Sequence, residues 1–186
     1  MVVPHWPLDD EVDEALRRCL ASLPGDCEKL VMVNQGTGFA RNVNLGLRAA
    51  SGDFVAVVGN DSQVVEGDVY ELCVPDAVAS PVVEGKPGIE PDGFHGAFWV
   101  APREVIDRVG PLDERFEGAF FEDDDYLERL RQAGVPTVQV ASVRVESSRI
   151  GLTMSKVPER AEAWYAANER RFTEKWGWTP PPTDPP

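Results

Sequence analysis

The stretch "KLVMVNQGTGFARNVNLGLRAASGDFVAVVGND", residues 29–61, decides the fold. It opens on an apolar run, "KLVMV", that is too short for a helix and reads as a strand. "NQGTG" is a turn, and residues 39–50 carry apolar side chains at helical spacing with Gly52 at the end, a short helix with a glycine stop. "DFVAVVG" follows as a near-continuous apolar run, the pattern of a strand covered on both faces in a parallel sheet. Strand, helix, strand in this spacing predicts a right-handed crossover unit and an α/β fold, in which ligands sit at the carboxyl ends of the strands.

The same alternation extends outward. "MVVPHW" reads as a first buried strand that starts the fold without a leader. Val12, Leu16, Leu20 and Leu23 line one face of a helix over residues 9–23, capped by Asp9 or Asp10. Residues 71–93 are rich in Pro, Gly and Val and read as irregular chain with one short strand near residues 79–83. "GAFWVAP" is a further strand, and residues 103–109 and 126–133 are helices. "TVQVASVRV" alternates as a late strand, and residues 159–176 form a final amphipathic helix. Its Trp164, Phe172 and Trp176, with Trp178 beyond, pack on the sheet or, as a second reading, form a homodimer face. The expectation is one domain over residues 1–178, a mostly parallel central sheet flanked by helices, and a Pro-rich disordered tail at 179–186.

The 186 residues, 42% of them hydrophobic, suffice for one substantial core. A net charge of −14 repels phosphate backbones and anionic membrane surfaces, so nucleic acid is a disfavoured partner. No apolar run approaches membrane-spanning length, and no basic segment with an apolar stretch opens the chain. Cys19, Cys27 and Cys73 lack metal-type or redox-type spacing, which reads as reduced thiols in a cytoplasm.

Two acidic features stand where chemistry is expected. Asn60 and Asp61 follow the third strand at the ligand edge, and Asp61 reads either as a ligand for a hard divalent cation or as an ordinary turn residue. In "AFFEDDDYLERLRQAG", residues 119–134, Glu122, Asp123, Asp124 and Asp125 follow two phenylalanines directly. A helix start accounts for one or two of these carboxylates. Crowding raises each one's proton affinity, a cost that a plain cap does not require.

"VVPHW", the 31–61 segment, "GAFWVAPREVIDRVGPLDERF" and "FFEDDDYLERLRQAG", in that order, resemble the family-two nucleotide-sugar glycosyltransferases of the GT-A fold, particularly the rhamnosyltransferase-like members. The resemblance covers most of residues 1–146. It implies an inverting transfer of sugar from a nucleotide-sugar donor to an acceptor hydroxyl on a glycan, protein or small molecule, with Mn²⁺ or Mg²⁺ steadying the leaving diphosphate. Asp123 matches the catalytic base, Glu122 its acidic partner and Asp125 the next acidic position. Asp61 matches the last position of the aspartate-x-aspartate metal motif. Pro4, Asn34, Gln35, Gly38, Arg41, Asn44 and Asn60 fall on the donor side, and His95, Gly96, Ala97 and Trp99 on the sugar or acceptor side.

Several positions depart from that pattern. Gly59 stands at the first acidic position of the metal motif, Asn34 and Gln35 where relatives often have an acid that reads the base, and Glu146, Ser147 and Ser148 in place of a late histidine. His95 fits a ligand contact or a satisfied polar group, Trp99 a sugar face or a core strand, and Arg41 a diphosphate partner or a helix surface. Two other readings stay open: a catalytically inactive relative that binds nucleotide or glycan, and a nucleotidyltransferase-like enzyme on a similar sheet.

Overall fold

The computed structural model describes residues 1–34, 36–84, 93–148 and 151–179. The chain begins as β1 (Val2–His5), α1 (Asp10–Ser22), β2 (Leu30–Val33), α2 (Phe39–Ala49) and β3 (Phe54–Val58). It continues as β4 (Gln63–Glu66), a single 3₁₀ turn (Val69–Leu72), β5 (Val78–Val83), β6 (Phe98–Pro102), α3 (Arg103–Val109) and α4 (Glu122–Gln132). It closes with β7 (Thr137–Glu146), α5 (Leu152–Ser155) and α6 (Pro158–Trp176). The first half is as the periodicity predicts, with Asp9 accepting from the Val12 N–H as the α1 cap. The sequence reading misses β4 and α5. It also starts α4 four residues late, because the acidic run itself forms the first helical turn.

One seven-stranded sheet has the order β2-β1-β3-β6-β5-β7-β4. β1 pairs in parallel with β2 and β3, and β5 in parallel with β7, while β6 runs against both its neighbours and β4 against β7. Five of the seven strands therefore point one way, and only β6 and β4 are reversed. The chain moves from β1 to β2 on one side and then crosses to β3 on the other. That reversal opens a crevice beyond the carboxyl ends of β1 and β3. The reversed strand β6 delivers its preceding turn to the same edge, since Phe98 pairs with Val58. β7 ends there too, with Glu146 opposite Gln63.

Alternate residues of the central strands fill two cores. Val2, Val55, Val57 and Trp99 join Val43 and Leu47 of α2 and Tyr126, Leu127 and Leu130 of α4. Val3, Ala56, Val58 and Phe98 join Cys19 of α1 and Leu72 on the opposite face. A third, smaller cluster of Phe116, Phe121 and Phe172, edged by Phe120, Tyr165 and Trp176, docks α6 against the start of α4. The sequence-predicted tail beyond Thr179 lies outside the described residues.

Candidate active site

At the end of β3 the chain turns sharply, with Ser62 N–H donating to the Gly59 carbonyl at 2.9 Å and Gly59 N–H to the Ala97 carbonyl at 2.6 Å. The second bond ties the Asn60–Asp61 turn to the turn before β6. Asp61 is gripped from the far side. Its carboxylate accepts from Ser147 Oγ at 3.3 Å, from Ser148 Oγ, and from the Leu152 N–H at 2.7 Å. Ser147 and Ser148, which stand in the sequence in place of a late histidine, thus face the Asp61 carboxylate.

Asn60 is buried and anchors a polar chain. Its amide nitrogen lies 3.1 Å from His5 Nδ1 and 3.3 Å from Thr153 Oγ1, and His5 Nε2 lies 2.9 Å from Asp13 Oδ1. An amide N–H can only donate, so Nδ1 accepts and the imidazole proton sits on Nε2, facing Asp13. Sequence reasoning passed over His5 and Thr153. The available signal was a histidine closing an otherwise apolar strand at the ligand edge.

The acidic turn is built under backbone constraint. Phe120 and Phe121 both have positive φ, +78° and +69°, and Phe121 is the residue from which α4 starts. Left-handed backbone at bulky residues costs about 1–3 kcal/mol each and persists only where the surroundings enforce it. Glu122 is buried, and its Oε2 has no hydrogen-bond partner among the described residues. Burial pushes its carboxyl well above the usual range, and the neighbouring Asp123 charge adds to the shift. Asp124 is pushed up to about 8 for the same two reasons, in the same order. Asp123 Oδ1 accepts the Asp124 N–H at 3.0 Å. On its other side Gly96 presses so close that a Cβ there would fall on Asp123 Oδ2. Asp61, the 95–97 turn and Asp123 are thereby joined at one edge through Gly59–Ala97 and Gly96–Asp123.

His95 is spent partly on shaping that turn, where its Nδ1 accepts the Ala97 N–H at 3.2 Å and its own N–H donates to Ser80 Oγ at 3.0 Å. Other expected site residues are placed elsewhere. Asp125 is fully buried, and its oxygens face Arg129 at 3.0 Å, Trp176 Nε1 at 3.0 Å and Lys175 at 2.5 Å, so it anchors helices instead of meeting an acceptor. Trp99 is a core residue stacked on Tyr126 at 5.3 Å. Asn44 is buried and clasps the backbone N–H and carbonyl of Leu112, and Pro4 is enclosed within β1. Asn34 folds its side chain onto the Gly36 N–H at 2.7 Å.

At Gly38, which the resemblance puts on the donor side, the space a side chain would take abuts the Gly118 backbone, 3.1 Å from its nitrogen. The Gly36 space is taken by the Trp6 ring. The absence of these two Cβ atoms therefore serves packing within the protein. Arg41 is exposed on α2, and Gln35 lies outside the described residues.

Among the described residues no group of three or more His, Cys, Asp or Glu side chains is arranged to hold a metal ion. No described helix is long and apolar enough to cross a membrane. The cysteines Cys19, Cys27 and Cys73 are free thiols.

No protein-family profile and no curated protein matches the sequence. Solved structures do. The mannosyltransferase of Pyrobaculum calidifontis in complex with GDP-Man and Mn²⁺ is similar over 97% of this chain and 65% of its own, at 16% identity and a TM-score of 0.64. A variant of the Drosophila β-1,4-galactosyltransferase 7, bound to manganese, UDP-Gal and xylobiose, matches 74% of this chain and 63% of its own, at 21% identity and a TM-score of 0.56. Staphylococcus aureus TarS matches 88% of this chain and 38% of its own, at 12% identity and a TM-score of 0.54. The chain thus spans less than two thirds of the length of these relatives in fold. The fold is the mixed α/β sheet of the GT-A glycosyltransferases, as the resemblance in sequence implies.

Proposed function

We propose that the protein is a nucleotide-sugar-dependent glycosyltransferase that inverts configuration at the anomeric carbon. One observation carries this reading: at the topological switch point of a GT-A sheet, the Asp61 turn, the 95–97 turn and the acidic start of α4 are linked by direct contacts. The solved neighbours bind GDP-Man or UDP-Gal with manganese, which supports the same donor class here.

Asp123 is the general base. Its carboxylate takes the proton of the acceptor hydroxyl as that oxygen bonds to the anomeric carbon. The bond from this carbon to the diphosphate oxygen breaks in the same step, and the nucleoside diphosphate leaves with the electron pair. Glu122 and Asp124, both of raised proton affinity, hold protons and so do not compete for this role. Asn60, held by His5 and Thr153, fixes the turn on which Asp61 stands.

A hard cation accepts one carboxylate together with neutral oxygens and substrate phosphates, and Asp61 with the Ser147 and Ser148 hydroxyls offers such a set. Mn²⁺ or Mg²⁺ bound there would neutralise charge developing on the leaving diphosphate. Both Asp61 oxygens already accept hydrogen bonds, which favours, as a second reading, a binding relative without turnover.

Thermal-shift screening against UDP-, GDP- and dTDP-sugars, with and without manganese, identifies the donor. Release of free nucleoside diphosphate by the parent, and its loss in Asp123→Asn with donor binding retained, supports the transferase. Tight donor binding by the parent with no release from any donor and acceptor pair supports the binding relative.

A further inference from the structure

We propose that Asn168, on the C-terminal helix α6, is a positioning residue that sets the acidic turn carrying Asp123. The inference rests on Asp123 as the base, but its geometry is independent of that role. Asn168 is fully buried, and its amide nitrogen donates to three carbonyls of one loop, Glu117 at 2.8 Å, Ala119 at 2.9 Å and Phe120 at 3.1 Å. Two hydrogens shared among three acceptors fix the plane of that loop from one point. The amide oxygen is fixed in turn by Arg171 at 2.7 Å, whose other nitrogen reaches Glu117 at 3.4 Å.

The loop that Asn168 holds ends in Phe120 and Phe121, the two residues with left-handed backbone that launch α4. Such a conformation needs over-determination by its surroundings. The Asn168 amide supplies it through the backbone, while Tyr165 and Phe172 of the same helix supply it through the rings, at 5.6 Å from Phe120 and at 5.0 and 5.9 Å from Phe121. Two residues beyond Asp123, Asp125 is held by Lys175 and Trp176, again from α6. Asp123 therefore sits between two anchor points on one helix that itself lies outside the sheet. A carboxylate displaced by about 1 Å from its target proton can lose about a hundredfold in rate, which is the scale on which such a brace matters.

The test compares the parent with Asn168→Asp, which keeps the shape and the acceptor but loses the donating amide, and with Ala161→Gly, which loosens α6 at a buried position away from the loop. Amide hydrogen exchange of the apo chain is read first. In Asn168→Asp the Asp124 and Asp125 amides, bonded to Asp123 Oδ1 and the Phe121 carbonyl, should exchange at least about tenfold faster relative to the β1 and β3 amides. Ala161→Gly should leave that ratio at the parental value. In nucleoside diphosphate release, Asn168→Asp should lower kcat about ten- to a hundredfold with donor KM unchanged. Unchanged relative exchange at Asp124 and Asp125 overturns the proposal whatever the transfer assay gives. So does faster exchange with a parental kcat, or an equal effect of Ala161→Gly. A parent that turns over no donor sinks the transferase reading instead, and exchange alone then decides whether Asn168 sets the turn.

Discussion

Two acidic turns meet at the same sheet edge and are treated in opposite ways. At the end of β3, Asp61 is surrounded by donors: two serine hydroxyls and a backbone N–H reach its oxygens. At the start of α4, Glu122 is buried with an oxygen that no donor among the described residues reaches, and Asp124 is pushed up to about 8. Hydrogen bonds from donors favour a charged carboxylate, and burial beside like charge favours a protonated one. The two turns thus differ in what surrounds a carboxylate: hydrogen-bond donors at Asp61, and burial with neighbouring negative charge at Glu122 and Asp124.

The sharpest way to break this contrast is Asp123→Asn. Turnover should fall by about two to four orders of magnitude while donor affinity survives, as single-turnover rates and calorimetry would report. Glu122→Gln is the companion, because an amide mimics the protonated carboxyl. It should keep the rate within about tenfold of the parent, and a loss as large as that of Asp123→Asn would transfer the role of base to Glu122.

Gly96→Ala probes the contact that joins the two turns. The added methyl must displace Asp123 Oδ2, so kcat should drop by about a hundredfold, with a smaller change in donor KM. Parental kinetics in this variant would show that the position of Asp123 is not set from Gly96.

Asp61→Ala addresses the turn after β3. It should remove any gain in nucleoside diphosphate affinity on adding manganese. It should also cost about 1.5–3 kcal/mol of stability in denaturant titration, since the donors of Ser147, Ser148 and Leu152 lose a charged acceptor. Manganese-dependent affinity that is intact in this variant places the cation elsewhere.

The smallest effect is a slope. The folded-state proton affinity of Asp124 is raised, so its contribution to stability is complete below its ordinary value of 3.8 and is lost as pH rises through about 8. The parental melting temperature should therefore decline across that interval, and Asp124→Asn should flatten the decline. An unchanged slope in the variant would mean that Asp124 is solvated in the folded chain.

Much of this architecture was legible because it is periodic. Val2–Val3 and Phe54–Val58 must be covered on both faces, and the 3.6-residue spacing on α1 and α2 leaves little freedom in how they lie. The element boundaries at Asp9 and at residues 49–52 follow from caps that are local in sequence. β4 escapes a periodicity reading because "QVVE" is short and half-exposed, and α5 because it is a single four-residue turn with no buried face.

The sequence by itself determined the α/β class, the covered strands, and the edge at which Asp61 would stand, since each depends on neighbours within a few residues, whereas the place of Asp123 is a tertiary contact with Gly96. Only the tertiary structure decided which of the matching side chains are committed to distant contacts within the protein. Asn44, Trp99 and Asp125 match a family pattern as well as Asp123 does, yet their side chains are committed to Leu112, Tyr126, Lys175 and Trp176. The same holds for the glycines at 36 and 38, whose open space is filled by Trp6 and Gly118. Such commitments join residues as far apart as Asp125 and Trp176, and no local pattern records them, because hydrogen bonding and packing are satisfied by whatever the fold brings near.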